Sequence, residues 1–323
     1  MNPDMRTAPL LENSVLEREP ATAAAPAPTS LRLIGLVRAA RPRQWVKNFA
    51  CFAGLIFSGQ LFLPWSVARA VLAFAGFSLA ASAVYLLNDV CDREHDRVNP
   101  SKRKRPIASG LVPPSWALAA SGALVVVAVG SAAVLSPLCA ALMTVYLVTN
   151  VAYSIRLKHA VLLDVAVIAF GFVLRVLYGV YAVRVQPTSW IVLCMFFLAL
   201  FLGFAKRRGE IHRMGDDDPF RRPVLAHYST TFLDILLSMT ATMAILCYSL
   251  YTVTGYQGNA TLVVTVPLVT YGVIRYMLLV MVRGEGEAPE KLLVSDPALI
   301  ATALVWVSLC VLIIYSRVHI FSE

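Results

Sequence analysis

Charge is scarce in this chain. Of 323 residues only 15% are Asp, Glu, Lys or Arg while 58% are hydrophobic, against about a quarter charged and about half apolar in an ordinary soluble domain. That shortage excludes a solvated globule and indicates a polytopic membrane protein. No internal sequence repeat is present. The six cysteines, Cys51, Cys91, Cys139, Cys194, Cys247 and Cys310, form neither a CxxC pair nor a Cys/His ligand spacing, so neither a metal centre nor a disulfide framework is read from them. Five read as small core hydrophobes and Cys91 as a reduced cytosolic thiol. Residues 1–30 carry Pro, Ala and scattered charges without a continuous apolar core. They fit neither a cleavable signal peptide nor a folded module and read as a disordered cytoplasmic N-terminal tail.

What the chain does have is long apolar runs. A membrane-spanning helix needs about 20 mostly apolar residues, and nine segments qualify, near 48–64, 67–87, 115–135, 138–155, 160–181, 188–205, 231–253, 261–282 and 297–316. Residues 31–44 mix Leu and Ile with arginines before and after Pro42 and predict a short interfacial helix. Lys and Arg are retained on the cytoplasmic side of a membrane. The tail and the connections after spans two, four, six and eight hold 23 of the 28 Lys and Arg residues. The N-terminus is therefore expected inside, the C-terminus outside, and the chain in the plasma membrane. The net charge of +9 is mostly this topology signal, so no nucleic-acid partner is inferred.

The acids gather at the mouth of the second span, in NDVCDREHD (Asn88–Asp96). On a helix Asn88, Asp92 and Asp96 recur at i, i+4 and i+8, with Asp89 three before Asp92, so all four project on one face while Glu94 points elsewhere. Carboxylates crowded in this way repel one another unless a cation sits between them, and hard oxygen ligands with room for water suit Mg²⁺. A solvated helix end, its charges paired with Arg93, Arg97 and the Lys102–Arg105 block, is the alternative, and it explains the single-face spacing poorly. Lys102, Arg103 and Arg105 can neutralise what a Mg²⁺-bound diphosphate leaves uncompensated. The connections YSIRLKH (Tyr153–His159) and GFAKRRGEIHRMGDDDPFRR (Gly203–Arg222) bring further cations to the same side. Asp164 and Arg175 fall within the fifth span, about three turns apart and nearly on one face, where charged groups turn toward a bundle interior or a wet cavity. Asp164 is placed at the edge of the site. Arg175 is placed deeper in it or against a neighbouring helix.

The pattern NDxxDxxxD closing the second span, followed by RPIASG, resembles the UbiA-type intramembrane prenyltransferase superfamily over residues 35–317. The resemblance implies an all-α fold for residues 31–323, a transmembrane catalytic domain with nine helices around a central cavity under a cytoplasmic cap. Carried over, Asn88, Asp89, Asp92 and Asp96 would bind Mg²⁺-diphosphate, the three aspartates being the catalytic set. The second Asp-rich motif of that family, DxxxD, is replaced here by Lys206-Arg207-Arg208-Gly209-Glu210, with Asp216–Asp218 further on. RPRQWVKN (Arg41–Asn48), YSIRLK and GFAKRRGE together resemble the actinobacterial branch that transfers 5-phosphoribose from phosphoribosyl diphosphate (PRPP) to decaprenyl phosphate for the arabinan precursor of the cell wall. That activity is expected here. The donor's extra 5-phosphate suits the KRRGE replacement, although the soluble PRPP-binding signature is absent. The substrate-binding set is then Lys47, Lys102, Arg103, Arg105, Tyr153, Arg156, Lys158, Asp164, Lys206, Arg207 and Glu210, with Lys47 assigned to the acceptor phosphate. Analogy with the family makes a homo-oligomer plausible. The rival readings are a prenyltransferase acting on a quinone or haem precursor, which the missing DxxxD disfavours, and a transporter or lipid-phosphate binding protein. A through-route for a polar solute should leave polar residues at both ends, and the outer face here is nearly uncharged.

Overall fold

A computed structural model describes residues 28–214, 223–254, 260–286 and 288–316, and every structural element among them is helical. The expected tail, apart from its last three residues, and Asp216–Asp218 lie outside the described residues. The α-helices are α1 (Thr29–Ala39), α2 (Ala53–Phe57), α3 (Pro64–Cys91), α4 (Arg93–Val98), α5 (Pro114–Leu135), α6 (Pro137–Ile155), α7 (Leu163–Ala182), α8 (Ser189–Met214), α9 (Thr230–Thr254), α10 (Val266–Arg283), α11 (Pro289–Ser295) and α12 (Pro297–Ser316). Among the described residues eight helical segments are long and apolar enough to cross a membrane, built on α3, α5, α6, α7, α8, α9, α10 and α12. Proline opens α3, α5, α6 and α12, where its missing N–H costs nothing and its fixed φ suits the first turn.

The helices pack in sequence, α3 on α5, α5 on α6, α6 on α7, α7 on α8, α8 on α9 and α9 on α10. The ring closes where α12 packs on α10 and on α2. The Tyr315 hydroxyl accepts from the Leu61 N–H at 2.8 Å and lies 3.2–3.3 Å from the carbonyls of Ile56 and Leu55, and its ring meets Phe62 edge-on. The last span is thereby tied to the first.

The first expected span departs from the prediction of one continuous helix. It is a 3₁₀ segment, Pro42–Phe52, followed by the single turn and a half of α2. With three residues per turn, positions i and i+3 eclipse, which aligns Trp45, Asn48 and Cys51 toward α3 and α7. Trp45 Nε1 donates to Ser82 Oγ and Asn48 Nδ2 to Ser78 Oγ, each at 3.0 Å, on a serine pair one α-helical turn apart. Cys51 presses its backbone against Gly179 of α7, and Gly54 presses against Val180. Small residues at such crossings let backbones touch. A methyl group at Gly179 would collide with the Cys51 carbonyl. Overpacking of this kind costs about 1–3 kcal/mol, so Gly179→Ala should lower the melting temperature of the detergent-solubilised protein. An unchanged melting temperature would mean that the crossing can open.

Candidate active site

Helical hydrogen bonding runs through the junction of α3 and α4, because the Asp92 N–H donates to the Asn88 carbonyl at 2.9 Å and the Asp96 N–H to the Asp92 carbonyl at 2.8 Å. Asn88, Asp89, Asp92 and Asp96 therefore keep helical spacing at this helix end. Glu94 is exposed and pairs with Arg97. Asp89 and Asp96 are only 2% and 1% exposed, and Arg105 Nη1 bridges them, 3.1 Å from Asp89 Oδ1 and 2.6 Å from Asp96 Oδ2. Arg41 also bonds Asp89 and stacks its guanidinium over the Tyr85 ring. Asp92 turns the other way and accepts from Lys158 Nζ at 2.7 Å. Asn88 accepts from Ser154 of α6. The turn between α1 and the 3₁₀ segment, the α3–α4 junction, the loop after α4, the end of α6 and the α6–α7 connection thus meet at one acid cluster.

A polar cavity of about 280 Å³ opens beside Asp89, lined by Arg38, Arg41, Ser101, Lys104 and Arg105. Four cations and one acid give its lining a net positive charge. Among the described residues no three His, Cys, Asp or Glu side chains already stand close enough together to hold a metal ion. The donor chemistry nevertheless fits Mg²⁺. Asp96 Oδ1 is buried without a hydrogen-bond partner, with Lys102 Nζ at 3.9 Å, and Mg²⁺ is commonly held by one or two carboxylates plus waters and substrate phosphates.

A second ionic group lies apart from this cluster. Asp164 of α7 is fully buried and accepts from Arg207 Nε at 2.7 Å and from the Tyr228 hydroxyl at 2.9 Å. Arg207, 1% exposed, donates its Nη1 to Glu210 at 2.7 Å. Asp164, Arg207 and Glu210, expected in the substrate-binding set, form one buried ion-pair network that locks α7 to α8. Burial pushes the Tyr228 hydroxyl up to about 12, so it stays a donor to Asp164, while it accepts from the Leu162 N–H at 2.8 Å. Leu162 has a φ of 67°, a left-handed conformation that a branched residue avoids unless held there. Tyr228 holds it, only four residues beyond Lys158.

Arg175 does lie deep in the bundle. It donates to Asn48 Oδ1 at 2.9 Å, the Gly171 carbonyl at 2.9 Å and the Tyr146 hydroxyl at 3.2 Å, among the rings of Phe77, Tyr146 and Phe172. These partners are neutral, and the bond to Asn48 joins α7 to the 3₁₀ segment.

Of the other expected residues, Tyr153 is half-buried and close enough to Arg207 to interact electrostatically, and Lys47 and Lys206 are half-buried on the 3₁₀ segment and α8. Arg103 and Arg156 are exposed. Sequence reasoning did not single out Arg38, Arg41, Lys104, Ser154 or Tyr228. Arg41 stands in the RPRQWVKN string, and that string was the available signal.

Residues 48–295 match the model of the UbiA prenyltransferase family. A decaprenyl-phosphate phosphoribosyltransferase of Mycobacterium tuberculosis is 36% identical over 287 residues, 87% of this chain and 94% of that one. The enzyme of the same name from Corynebacterium glutamicum is 32% identical over 289 residues, 87% of each chain. Among solved structures, a UbiA homolog from Archaeoglobus fulgidus bound to DMAPP and Mg²⁺ superposes with a TM-score of 0.69 at 18% identity, covering 88% of this chain and 100% of that chain.

Proposed function

This chain belongs to the UbiA prenyltransferase family, and from that premise we propose that it is a decaprenyl-phosphate phosphoribosyltransferase, moving 5-phosphoribose from PRPP to decaprenyl phosphate and releasing diphosphate. The observation that carries the reading is the likeness, over 87% of the chain, to enzymes of that name. The product would serve as an arabinan precursor. The chain is a multi-pass membrane protein, and the retention of Lys and Arg on the inner side supports a plasma-membrane enzyme with its N-terminus and acid cluster facing the cytoplasm.

In the reaction the bond from ribose C1 to the diphosphate oxygen breaks, its electron pair leaving with the diphosphate, and an acceptor phosphate oxygen bonds to C1. The acceptor is already an anion, so no strong general base is needed. Asn88, Asp89, Asp92 and Asp96 would hold Mg²⁺, which when bound supplies charge stabilisation to the departing diphosphate. The residues of the chain bind and orient. Arg38, Arg41, Lys104 and Arg105 offer their cavity to the phosphates of the water-soluble donor, and Lys158, paired with Asp92 on the other side of the cluster, offers a further cation to the donor diphosphate. Asp164, Arg207, Glu210 and Tyr228 position the α6–α7 connection that carries Lys158. Lys47 is the candidate for the acceptor phosphate, and Arg175, deep in the bundle, positions through Asn48 the 3₁₀ segment that carries it.

Membranes containing the protein, given PRPP labelled in the ribose, decaprenyl phosphate and Mg²⁺, should yield a labelled lipid and free diphosphate, and chelation should stop both. Label that stays in the aqueous phase while an allylic diphosphate and an aromatic acceptor are consumed would replace this reading with ordinary prenyl transfer. A charge-assisted contact to phosphate contributes about 1.5–3 kcal/mol, so Lys158→Ala should raise the KM for PRPP or lower kcat by about tenfold to a hundredfold. Wild-type kinetics would remove Lys158 from the donor site.

A further inference from the structure

The acids of the site carry their counter-ions with them. Asp89 and Asp96 are buried, and the side chains of the arginines that meet them, Arg41 and Arg105, are 30% exposed, so the cations stand between these carboxylates and solvent. Lys158 pairs with the more open Asp92. Three carboxylates thus face three cations within hydrogen-bond distance, and their charges already cancel. A divalent cation entering alone must displace one of these partners or add two positive charges to a neutral, partly desolvated group, where charges are weakly screened. A diphosphate changes the balance. Arg41 and Arg105 also line the polar cavity beside Asp89, and Arg105 uses a single nitrogen, Nη1, for both acids. A guanidinium has five N–H donors in a planar fork that suits phosphate, so most of this fork is left for an anion in the cavity.

We infer that Arg41, Arg105 and Lys158 are internal counter-ions, which the acids exchange for a metal as a diphosphate draws them away. Free divalent cation and free diphosphate each bind weakly, and together they bind as a unit. The inference rests on the reading of this cluster as the metal and diphosphate site and adds the coupling between the two ligands; it holds whichever group the diphosphate carries. Between turnovers the same cations keep Asp89 and Asp96 compensated, since an unpaired buried carboxylate is costly.

Equilibrium dialysis of the full-length protein, in phosphatidylcholine nanodiscs, against Mn²⁺ tests this without turnover. Wild-type protein should retain Mn²⁺ about tenfold more tightly when inorganic diphosphate is present. Arg105→Met, which frees both buried acids, should hold Mn²⁺ alone about tenfold more tightly than wild type and Mn²⁺-diphosphate about tenfold more weakly. Mn²⁺ alone should also raise the melting temperature of this variant, because a ligand that binds only the folded state stabilises it. It should leave the wild-type melting temperature unchanged. Lys158→Met repeats the measurement beside the half-exposed Asp92, where loss of the cation endangers folding less. Arg97→Met removes a charge that goes to Glu94 and should not alter retention. Mn²⁺ held equally well with and without diphosphate, or held no more tightly by Arg105→Met and Lys158→Met than by wild type, would overturn the inference and leave the metal reading intact. No retention of Mn²⁺ in any sample would sink the metal reading and the inference with it.

Discussion

Asp89→Asn and Asp96→Asn should each reduce turnover by roughly 10²–10³-fold while the protein still inserts and folds, because a metal that stabilises departing charge supplies several kcal/mol to the transition state and each 1.36 kcal/mol is tenfold in rate. The substitutions keep the size of the side chain and leave an amide oxygen for the bridging Arg105. What they remove is the anionic hard ligand. Excess Mg²⁺ should therefore restore little. Glu94→Gln supplies the control, since Glu94 is exposed and its carboxylate goes to Arg97 rather than to the cluster. It should leave turnover unchanged. Steady-state rates of diphosphate release measure all three, and normal turnover in both aspartate variants would leave the cluster a purely structural set of buried ion pairs.

Arg207→Met should be the most damaging substitution for stability. It strips both Asp164 and Glu210 of their charge partner inside the bundle. Breaking a buried pair by removing one member costs about 3–5 kcal/mol, which for a chain of this size is a melting-temperature drop on the order of 10 °C. The charge left behind causes the loss, so removing it as well should recover part of it. The triple variant Asp164→Leu, Arg207→Met, Glu210→Gln should melt nearer to wild type than Arg207→Met alone. Tyr228→Phe, which deletes one hydrogen bond to Asp164, should cost only about 1 kcal/mol. If Arg207→Met melts with wild type while its KM for PRPP rises, Arg207 meets substrate after all and the buried network is dispensable.

Periodicity and charge placement are strong signals, and they made most of the molecule legible. The long helices from α3 to α12 begin and end within a few residues of the apolar runs, except α8, which continues past Ala205 through the KRRGE string to Met214. The helical spacing of Asn88, Asp92 and Asp96 carried over because the hydrogen-bond ladder continues through Asp92, but the side chains divide, Asp96 joining Asp89 on Arg105 and Asp92 turning to Lys158. The first span was misjudged as a regular helix because its register is tertiary: Asn48 and Trp45 choose a period of three to reach Ser78 and Ser82. Nor could any local pattern tell that the cations of one loop would divide their work. Arg105 reaches two acids and Arg103 reaches solvent, a choice made by how the loop after α4 folds back over α3. Arg207 likewise looks like a neighbour of Lys206 in the string, but one step of about 100° around α8 turns it inward to Asp164.

The bond between Tyr315 and the backbone around Leu61 also orders events during biosynthesis. The Leu61 N–H would be without that partner until α12 leaves the ribosome, 254 residues later. The α3–α7 half, with Arg175 already bonded to Asn48 and Tyr146, can condense while the second half is still being made. Its open seam, between α2 and the place α12 will fill, stays in contact with lipid or with the insertion machinery for that interval. Closure of the ring therefore waits on α12, which fastens the α10 side to α2.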